Sequence, residues 1–202
     1  MSIYELKPRF QALLRPTVVR LHEMGTTANQ VTLATCAVSV ALGLGIYFTA
    51  TAWLPFVLIP LWMVLRMAFN AVDGMLAREH GQQTKLGAFL NELTDVASDA
   101  ALYLPFALVP AFSGFWVGTV IVLAALSEFA GALGPTVGAS RRYDGPMGKS
   151  DRAFVFGALG LYIGCFGPPP AWAGWLMPLL AIAIAWTVAN RIRRALDEAP
   201  KI

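Results

Sequence analysis

Apolar residues run almost unbroken through six stretches of the chain, at about residues 29–50, 53–78, 87–110, 114–139, 152–167 and 171–190. A helix needs roughly 20 apolar residues to cross a bilayer. Helix breakers mark the ends of these stretches. Pro110 with Ser113-Gly114 separates the third from the fourth, and Gly167 with Pro168-Pro169-Pro170 separates the fifth from the sixth. The pattern before residue 26 is different. Ile3, Leu6, Phe10, Leu13, Leu14, Val18 and Leu21 recur every three or four positions, with Lys7, Arg9, Arg15 and Arg20 between them. That spacing predicts an amphipathic helix lying on a membrane surface, bent near Pro8 and Pro16. It has no continuous apolar core, so it does not read as a cleavable signal peptide. The expected fold class is therefore an all-α integral membrane protein with six transmembrane helices and an N-terminal interfacial amphipathic helix. The expected division is a juxtamembrane segment at 1–25, a six-helix transmembrane domain at 26–194 and a cytoplasmic tail at 195–202.

Composition agrees with this class. The 202 residues are 57% hydrophobic and 13% charged, against about 25% charged in ordinary soluble domains. The basic residues are also unevenly spread. Arg78 and Lys85 flank the loop after the second stretch. Arg141, Arg142, Lys149 and Arg152 flank the loop after the fourth, and Arg191, Arg193, Arg194 and Lys201 follow the sixth. The alternate loops, near 51–53, 111–113 and 167–171, hold no Lys or Arg. The positive-inside rule then places both termini and the loops 79–86 and 140–151 in the cytoplasm. The net charge of +3 reflects this topology and gives no reason to expect nucleic acid as a partner. Cys36 and Cys165 read as packing residues. His22 and His80 stand alone in loop-like surroundings and read as solvent-facing.

Against this apolar background, the window NAVDGMLAREHGQQTKLGAFLNELTDVASD at 70–99 is conspicuously polar. Ionisable groups at membrane depth cost at least about 2.5 kcal/mol each and mark function by default. Asn70, Asp73, Gly74 and Ala77 share one face of the second helix. Asn91, Asp95 and Asp99 share one face of the third. A short loop joins these helices, so they are antiparallel neighbours, and the two polar stripes converge on one pocket open to the cytoplasm. Oxygen ligands on facing helices suit a hard cation such as Mg²⁺ or Mn²⁺, commonly shared with substrate phosphates. Gly74 and Ala77 also fit plain close helix packing.

These residues carry a resemblance. The window is similar to the signature of the CDP-alcohol phosphatidyltransferase family, D-x-x-D-G-x-x-A-R, eight residues, G-x-x-x-D-x-x-x-D. Asp73, Gly74, Ala77, Arg78, Gly87 and Asp95 match in register, while Asn70 and Asn91 stand at the first and third aspartate positions. The segment TTANQVTL at 26–33 resembles the one that opens the family's first helix. The resemblance implies transfer of a phosphatidyl group from a CDP-linked lipid, CDP-diacylglycerol, to an alcohol, with release of CMP. It implies one or two Mg²⁺ or Mn²⁺ ions held by Asp73, Asp95, Asn70 and Asn91, with Asp95 as general base. It assigns the CDP pocket to Asp73, Gly74, Ala77, Arg78 and Gly87, with Thr32 and Thr84 beside them. Membrane lipids are expected neighbours, a homodimer is a possible assembly, and a bacterial inner membrane is the expected location.

The two asparagines keep oxygen donors but remove two negative charges, so metal should be held more weakly or in smaller number. One alternative is a catalytically impaired member that binds CDP-lipid. A transporter is a further alternative, although the acids cluster toward one side of the membrane, where a conduit would need polar positions throughout. Two further clusters remain. Arg141, Arg142, Lys149 and Arg152 are either topology determinants near anionic headgroups or captors of a phosphorylated acceptor. Arg66, Asp99 and Glu128 each lie twelve residues, roughly 18 Å, inside a helix end. They are expected to meet as a structural buried-charge floor, with Arg66 on Asp99 and Glu128 as the alternative partner or third member.

Overall fold

The computed structural model describes residues 3–49 and 52–200, with side chains described from Phe10 onward. The side chains of Ile3, Leu6, Lys7, Pro8 and Arg9, the residues at 50–51, and Lys201 lie outside the described residues. Among the described residues seven α-helices follow one another: α1 (Ile3–Glu23), α2 (Ala28–Phe48), α3 (Leu58–Glu79), α4 (Lys85–Tyr103), α5 (Gly114–Ala132), α6 (Lys149–Phe166) and α7 (Leu176–Glu198). No strand is present among the described residues.

Local sequence sets several helix starts. Thr27 opens α2 with a capping box: its hydroxyl accepts from the Gln30 amide at 3.2 Å, and the Gln30 side chain accepts from the Thr27 amide at 2.9 Å. Thr84 opens α4 by accepting from the Gly87 amide at 2.8 Å. Asp151 accepts from the Gly148 amide at 2.9 Å at the start of α6. Prolines shorten the helices relative to the apolar runs. Pro105 lies in a 3₁₀ turn, Leu104–Leu108, so α4 stops at Tyr103, short of residue 110. Pro135 lies in another, Gly134–Val137, and α5 stops at Ala132, short of 139. A proline has no N–H for the ladder and clashes with the preceding turn. At the other boundaries α6 starts earlier than residue 152, at Lys149, and α7 extends through the expected tail to Glu198.

Helix α2 packs on α3 and α4, α3 on α6, α5 on α7, and α1 on α3. The main core is aromatic. Tyr103 stacks on Phe156 with centroids 3.8 Å apart, and Phe106 meets Phe56 and Phe156 edge-on at 5.3 and 5.0 Å. A smaller cluster of Val18, Val31, Val72, Met75 and Leu76 binds α1 to the ends of α2 and α3. Many large apolar side chains face outward, among them Leu61, Val64, Leu65, Phe129, Ile182 and Trp186. A soluble surface does not carry so much contiguous apolar area. Four helical segments, Ala28–Phe48, Leu54–Glu79, Gly114–Ala132 and Ala171–Glu198, are long and apolar enough to cross a membrane. The protein is thus an all-helical membrane protein. Helices α4 and α6 miss that standard for one reason. They carry the charges, with Glu92, Asp95 and Asp99 on α4 and Lys149, Asp151 and Arg152 on α6.

Candidate active site

Between α2, α3, α4 and the α3–α4 loop lies an open cavity of about 570 Å³, lined by Asn29, Thr32, Asn70, Asp73, Gly74, Ala77, Arg78, Thr84, Gly87, Asn91 and Glu92, among others. The two polar stripes read from the sequence meet here. Asp73 is 6% exposed, and its Oδ2 accepts from the Thr32 hydroxyl at 2.7 Å. The same hydroxyl lies 3.0 Å from Ala28 O of its own helix, so its one proton is shared between that carbonyl and the carboxylate oxygen. The loop is tied down at Gln82, whose side chain accepts from the Ala28 amide at 2.7 Å. His22 and His80 are not isolated, as their spacing predicted; their rings lie 4.1 Å apart beside this loop.

Two glycines shape the cavity wall. A Cβ on Gly74 would lie 2.9 Å from the Arg78 guanidinium, which folds back over that glycine. A Cβ on Gly87 would lie 2.8 Å from Asn29 Oδ1 and 3.0 Å from Thr84 Oγ1, where the start of α4 passes the start of α2. Both positions leave backbone near the cavity, where a phosphate can be approached closely.

Asp95 sits one turn deeper than Asn91. Its Oδ1 accepts from Arg66 at 3.0 Å and from the Asn70 amide at 3.3 Å, and its Oδ2 is paired with the Lys149 ammonium. Below it, Arg66 bonds Asp99 at 2.5 Å and also reaches the Asp95 carbonyl at 3.1 Å. Arg66 and Asp99 are both buried, so each offsets the desolvation of the other.

Glu128 does not pair with Arg66; it is joined to the Arg66–Asp99 pair through Arg152, which lies 3.6 Å from Asp99. It takes Arg152 at 2.9 Å, Arg191 at 3.4 Å and Arg141 at 3.8 Å. Arg152, expected on the loop as part of a phosphate-capturing group, is 1% exposed and also donates to Ser127 Oγ at 3.1 Å and Met147 O at 3.2 Å. The correction follows from the earlier start of α6, which carries Arg152 inward by a turn. The other loop cations also have partners. Arg141 is paired with Glu92, and Arg142 with Asp144 and Glu198. The Arg142 hydrogen bond holds the Asp144 carboxyl below its ordinary range. Sequence reasoning missed Arg191, which is 2% exposed and reaches Glu128 and the Ser127 carbonyl. Its signal was the buried Glu128 itself, an acid with more need of cations than Arg66 alone could meet.

The donor set decides what the cavity can hold. Among the described residues no three acid, histidine or cysteine groups converge as a metal-holding cluster. Asp73, with carboxamide oxygens of Asn70 and Asn91, fits one hard divalent ion whose remaining ligands come from a bound phosphate. Asp95 is already engaged by a lysine, an arginine and an amide, so a second ion there would have to compete with Lys149.

Comparison with known proteins agrees with this layout. The CDP-alcohol phosphatidyltransferase family matches residues 25–189. The inner membrane protein YnbA of Escherichia coli K12 is 46% identical over 199 residues, 97% of each chain. Crystal structures of phosphatidylinositol phosphate synthase (PgsA1) from Mycobacterium tuberculosis share the fold at 24% identity. The complex with manganese and citrate has a TM-score of 0.73, covering 90% of this chain and 88% of that one. The complex with CDP-DAG has a TM-score of 0.73, covering 89% and 92%. The family's members are enzymes that use divalent metals, and the match spans the cavity, Asp95 and the buried charges beneath them. This chain is a member of the CDP-alcohol phosphatidyltransferase family, the transferases of phospholipid biosynthesis.

Proposed function

We propose that the protein transfers a phosphatidyl group from CDP-diacylglycerol to an alcohol at the cavity between α2, α3 and α4, releasing CMP. The observation that carries this reading is the convergence of Asp73, Gly74, Ala77, Arg78 and Gly87 on that one cavity, with Asp95 at its inner edge. The protein crosses a bacterial inner membrane with six helices, α2 to α7, and both termini and the cavity face the cytoplasm. Helix α1 lies on the membrane surface. In α4 and α6 Glu92, Asp95, Asp99, Lys149 and Arg152 turn inward to the site, which reconciles their polarity with a transmembrane position.

Each side chain has a role. Gly74 and Gly87 let the diphosphate approach the backbone, and Arg78, at the cavity wall, offsets its charge. Thr32 fixes Asp73, and Asp73, Asn70 and Asn91 would hold a Mg²⁺ or Mn²⁺ ion. When bound, that ion supplies charge neutralisation and alignment of the diphosphate. Asp95 takes the proton of the acceptor hydroxyl as its oxygen forms a bond to the lipid-side phosphorus. The bond from that phosphorus to the CMP oxygen breaks, and CMP leaves with the electron pair. Arg66 and Asn70 hold Oδ1 of Asp95, which leaves Oδ2, beside Lys149, as the atom that receives the proton.

The test is CMP release from CDP-diacylglycerol by purified protein in lipid nanodiscs, with Mg²⁺ or Mn²⁺ and a pool of alcohols. Release should need metal and should fall by about 10²–10⁴-fold in Asp95→Asn, the usual contribution of a general base. Protein that binds CDP-lipid but releases no CMP with any metal or alcohol would favour a non-catalytic member of the family.

A further inference from the structure

Three guanidinium groups converge on one carboxylate beneath the loop at 138–148. Arg152, Arg191 and Arg141 approach Glu128 at 2.9, 3.4 and 3.8 Å. Two of the three, Arg152 and Arg191, are almost completely buried. A carboxylate has two oxygens and about four acceptor sites, whereas three guanidiniums offer fifteen donors; Ser127, Met147 O, Asp144 O, Asp99 and Glu92 take some of the rest. The surplus is visible, because the Nε atoms of Arg141 and Arg152 are both buried without a hydrogen-bond partner. This is a donor set suited to a larger, more highly charged anion, such as a phosphomonoester with its three terminal oxygens. The chain fills it from within, with a side chain of α5.

No room is left beside the filler. The cavity bordering Glu128, Arg152, Asp99 and Tyr103 has a volume of about 10 Å³, space for one water at most. A phosphomonoester brought to Arg152 and Arg191 would meet the Glu128 carboxylate at contact distance, and like charges juxtaposed in a buried site cost several kcal/mol. The remaining cations near the catalytic aspartate are also matched. Lys149 pairs with Asp95 and Arg66 with Asp99, while Arg141 of the three-arginine site is shared between Glu128 and Glu92.

We infer that Glu128 is a built-in anion occupying a three-arginine site, and that the alcohol acceptor of this protein therefore carries no phosphomonoester. The inference rests on the transferase reading for its acceptor half and on geometry alone for its binding half, so two assays separate them.

The first assay follows CMP release from CDP-diacylglycerol in nanodiscs with Mn²⁺, comparing glycerol, inositol and serine with glycerol 3-phosphate and inositol phosphate. At least one unphosphorylated alcohol should exceed its phosphorylated counterpart at least about tenfold in kcat/KM. Preference for a phosphorylated acceptor overturns the inference. The second assay needs no turnover. Thermal unfolding of wild type and Glu128→Gln is followed with increasing inorganic phosphate. Phosphate should raise the Tm of Glu128→Gln saturably at low concentration, and wild type should show only the gradual rise of an excluded anion. Equal stabilisation of both, or of neither, overturns the built-in anion. Should Glu128→Gln not fold, wild type decides alone, because a saturable rise of its Tm at low phosphate, beyond the gradual rise any excluded anion gives, shows an anion site Glu128 does not fill. Absence of CMP release with every alcohol removes the transferase reading and leaves the phosphate titration to decide the role of Glu128.

Discussion

The ammonium of Lys149, in the first turn of α6, is paired with Oδ2 of Asp95 on α4. Arg66 and Asn70 already hold Oδ1, so the lysine covers the one oxygen that an acceptor hydroxyl could reach. Lysine is a mobile point charge on a flexible stem, unlike the planar fork of Arg66. It can swing aside for the acceptor and return.

Reversing this charge should act on the acceptor side of the reaction. Lys149→Glu puts a carboxylate against Asp95 and should raise the KM for the alcohol on the order of tenfold, with the KM for CDP-diacylglycerol changing about twofold or less. Initial-rate kinetics with each substrate varied in turn checks this. Equal effects on both substrates would make the lysine a general electrostatic or structural element.

The asparagines predict a weak metal site. Asn91 lines the cavity and is exposed, so a carboxylate there can reach an ion without a burial cost. Asn91→Asp should lower the Mn²⁺ concentration for half-maximal CMP release on the order of tenfold, since ligand charge count tunes affinity for hard cations. Chelation by EDTA should abolish release in both proteins. An unchanged metal requirement in Asn91→Asp would place the ion away from α4.

The Arg66–Asp99 pair is buried and closely bonded at 2.5 Å. Breaking a buried pair costs about 3–5 kcal/mol, and Asp99→Leu leaves Arg66 with Asp95 alone and takes from Arg152 a carboxylate 3.6 Å away. Asp99→Leu should destabilise the protein by up to that order, and the double variant Arg66→Met/Asp99→Leu should recover part of the loss, Asp95 and Arg152 each having lost a partner. The recovery is measurable by denaturant unfolding in detergent. Activity should not recover with it, because Arg66 also holds Oδ1 of Asp95.

The depth of charged residues was legible in the sequence, and their partners only in part. Equal distance from the helix ends put Arg66, Asp99 and Glu128 at one level, and the Arg66 and Asp99 side chains do meet there. Spacing along a helix fixes depth and face, but not which helix stands opposite. Glu128 faces Arg152 and Arg191 because α5 packs on α7 and the first turn of α6 folds inward, and no local pattern encodes those pairings. The cavity was legible because both of its polar walls lie on consecutive helices joined by a short loop, where adjacency follows from the chain itself. The helix ends at Tyr103 and Ala132 were overrun because hydropathy continues through Pro105 and Pro135, while the backbone hydrogen-bond ladder cannot.

The loop at 138–148 should loosen in acid. Asp144 sits below its ordinary value of 3.8 because Arg142 donates a hydrogen bond to it. A group with a depressed folded value contributes stability above its unfolded value, and loses it as pH falls through the folded value. The contribution is complete above about pH 4 and disappears below it. Hydrogen exchange of the loop amides should therefore show a protection loss on acidification that is smaller in Asp144→Asn, where the loop is already looser at neutral pH and only Glu198, held low by its hydrogen bonds from Ser140, remains to titrate. Identical profiles would separate the loop's order from this pair.

Close packing of α2 on α4 holds the catalytic helix in register, and one glycine permits it. A Cβ on Gly43 would lie 2.1 Å from the Ala101 carbonyl oxygen and 2.5 Å from its carbon. The obstacle is backbone, so Gly43→Ala must push α4 away from α2. Overpacking of this kind costs about 1–3 kcal/mol, and the displacement moves Asp95 relative to Asp73 on α3. CMP release should fall at least about tenfold, because small misplacements at a reacting centre are costly. Gly45, two residues along the same helix, is the internal control. A Cβ there meets nothing within 4 Å, so Gly45→Ala should be neutral or stabilising by up to about 1 kcal/mol through helix propensity. Unfolding in detergent and CMP release, measured on both variants, should separate them in opposite directions. A Gly43→Ala protein as stable and as active as Gly45→Ala would mean that the α2–α4 contact does not set the position of Asp95.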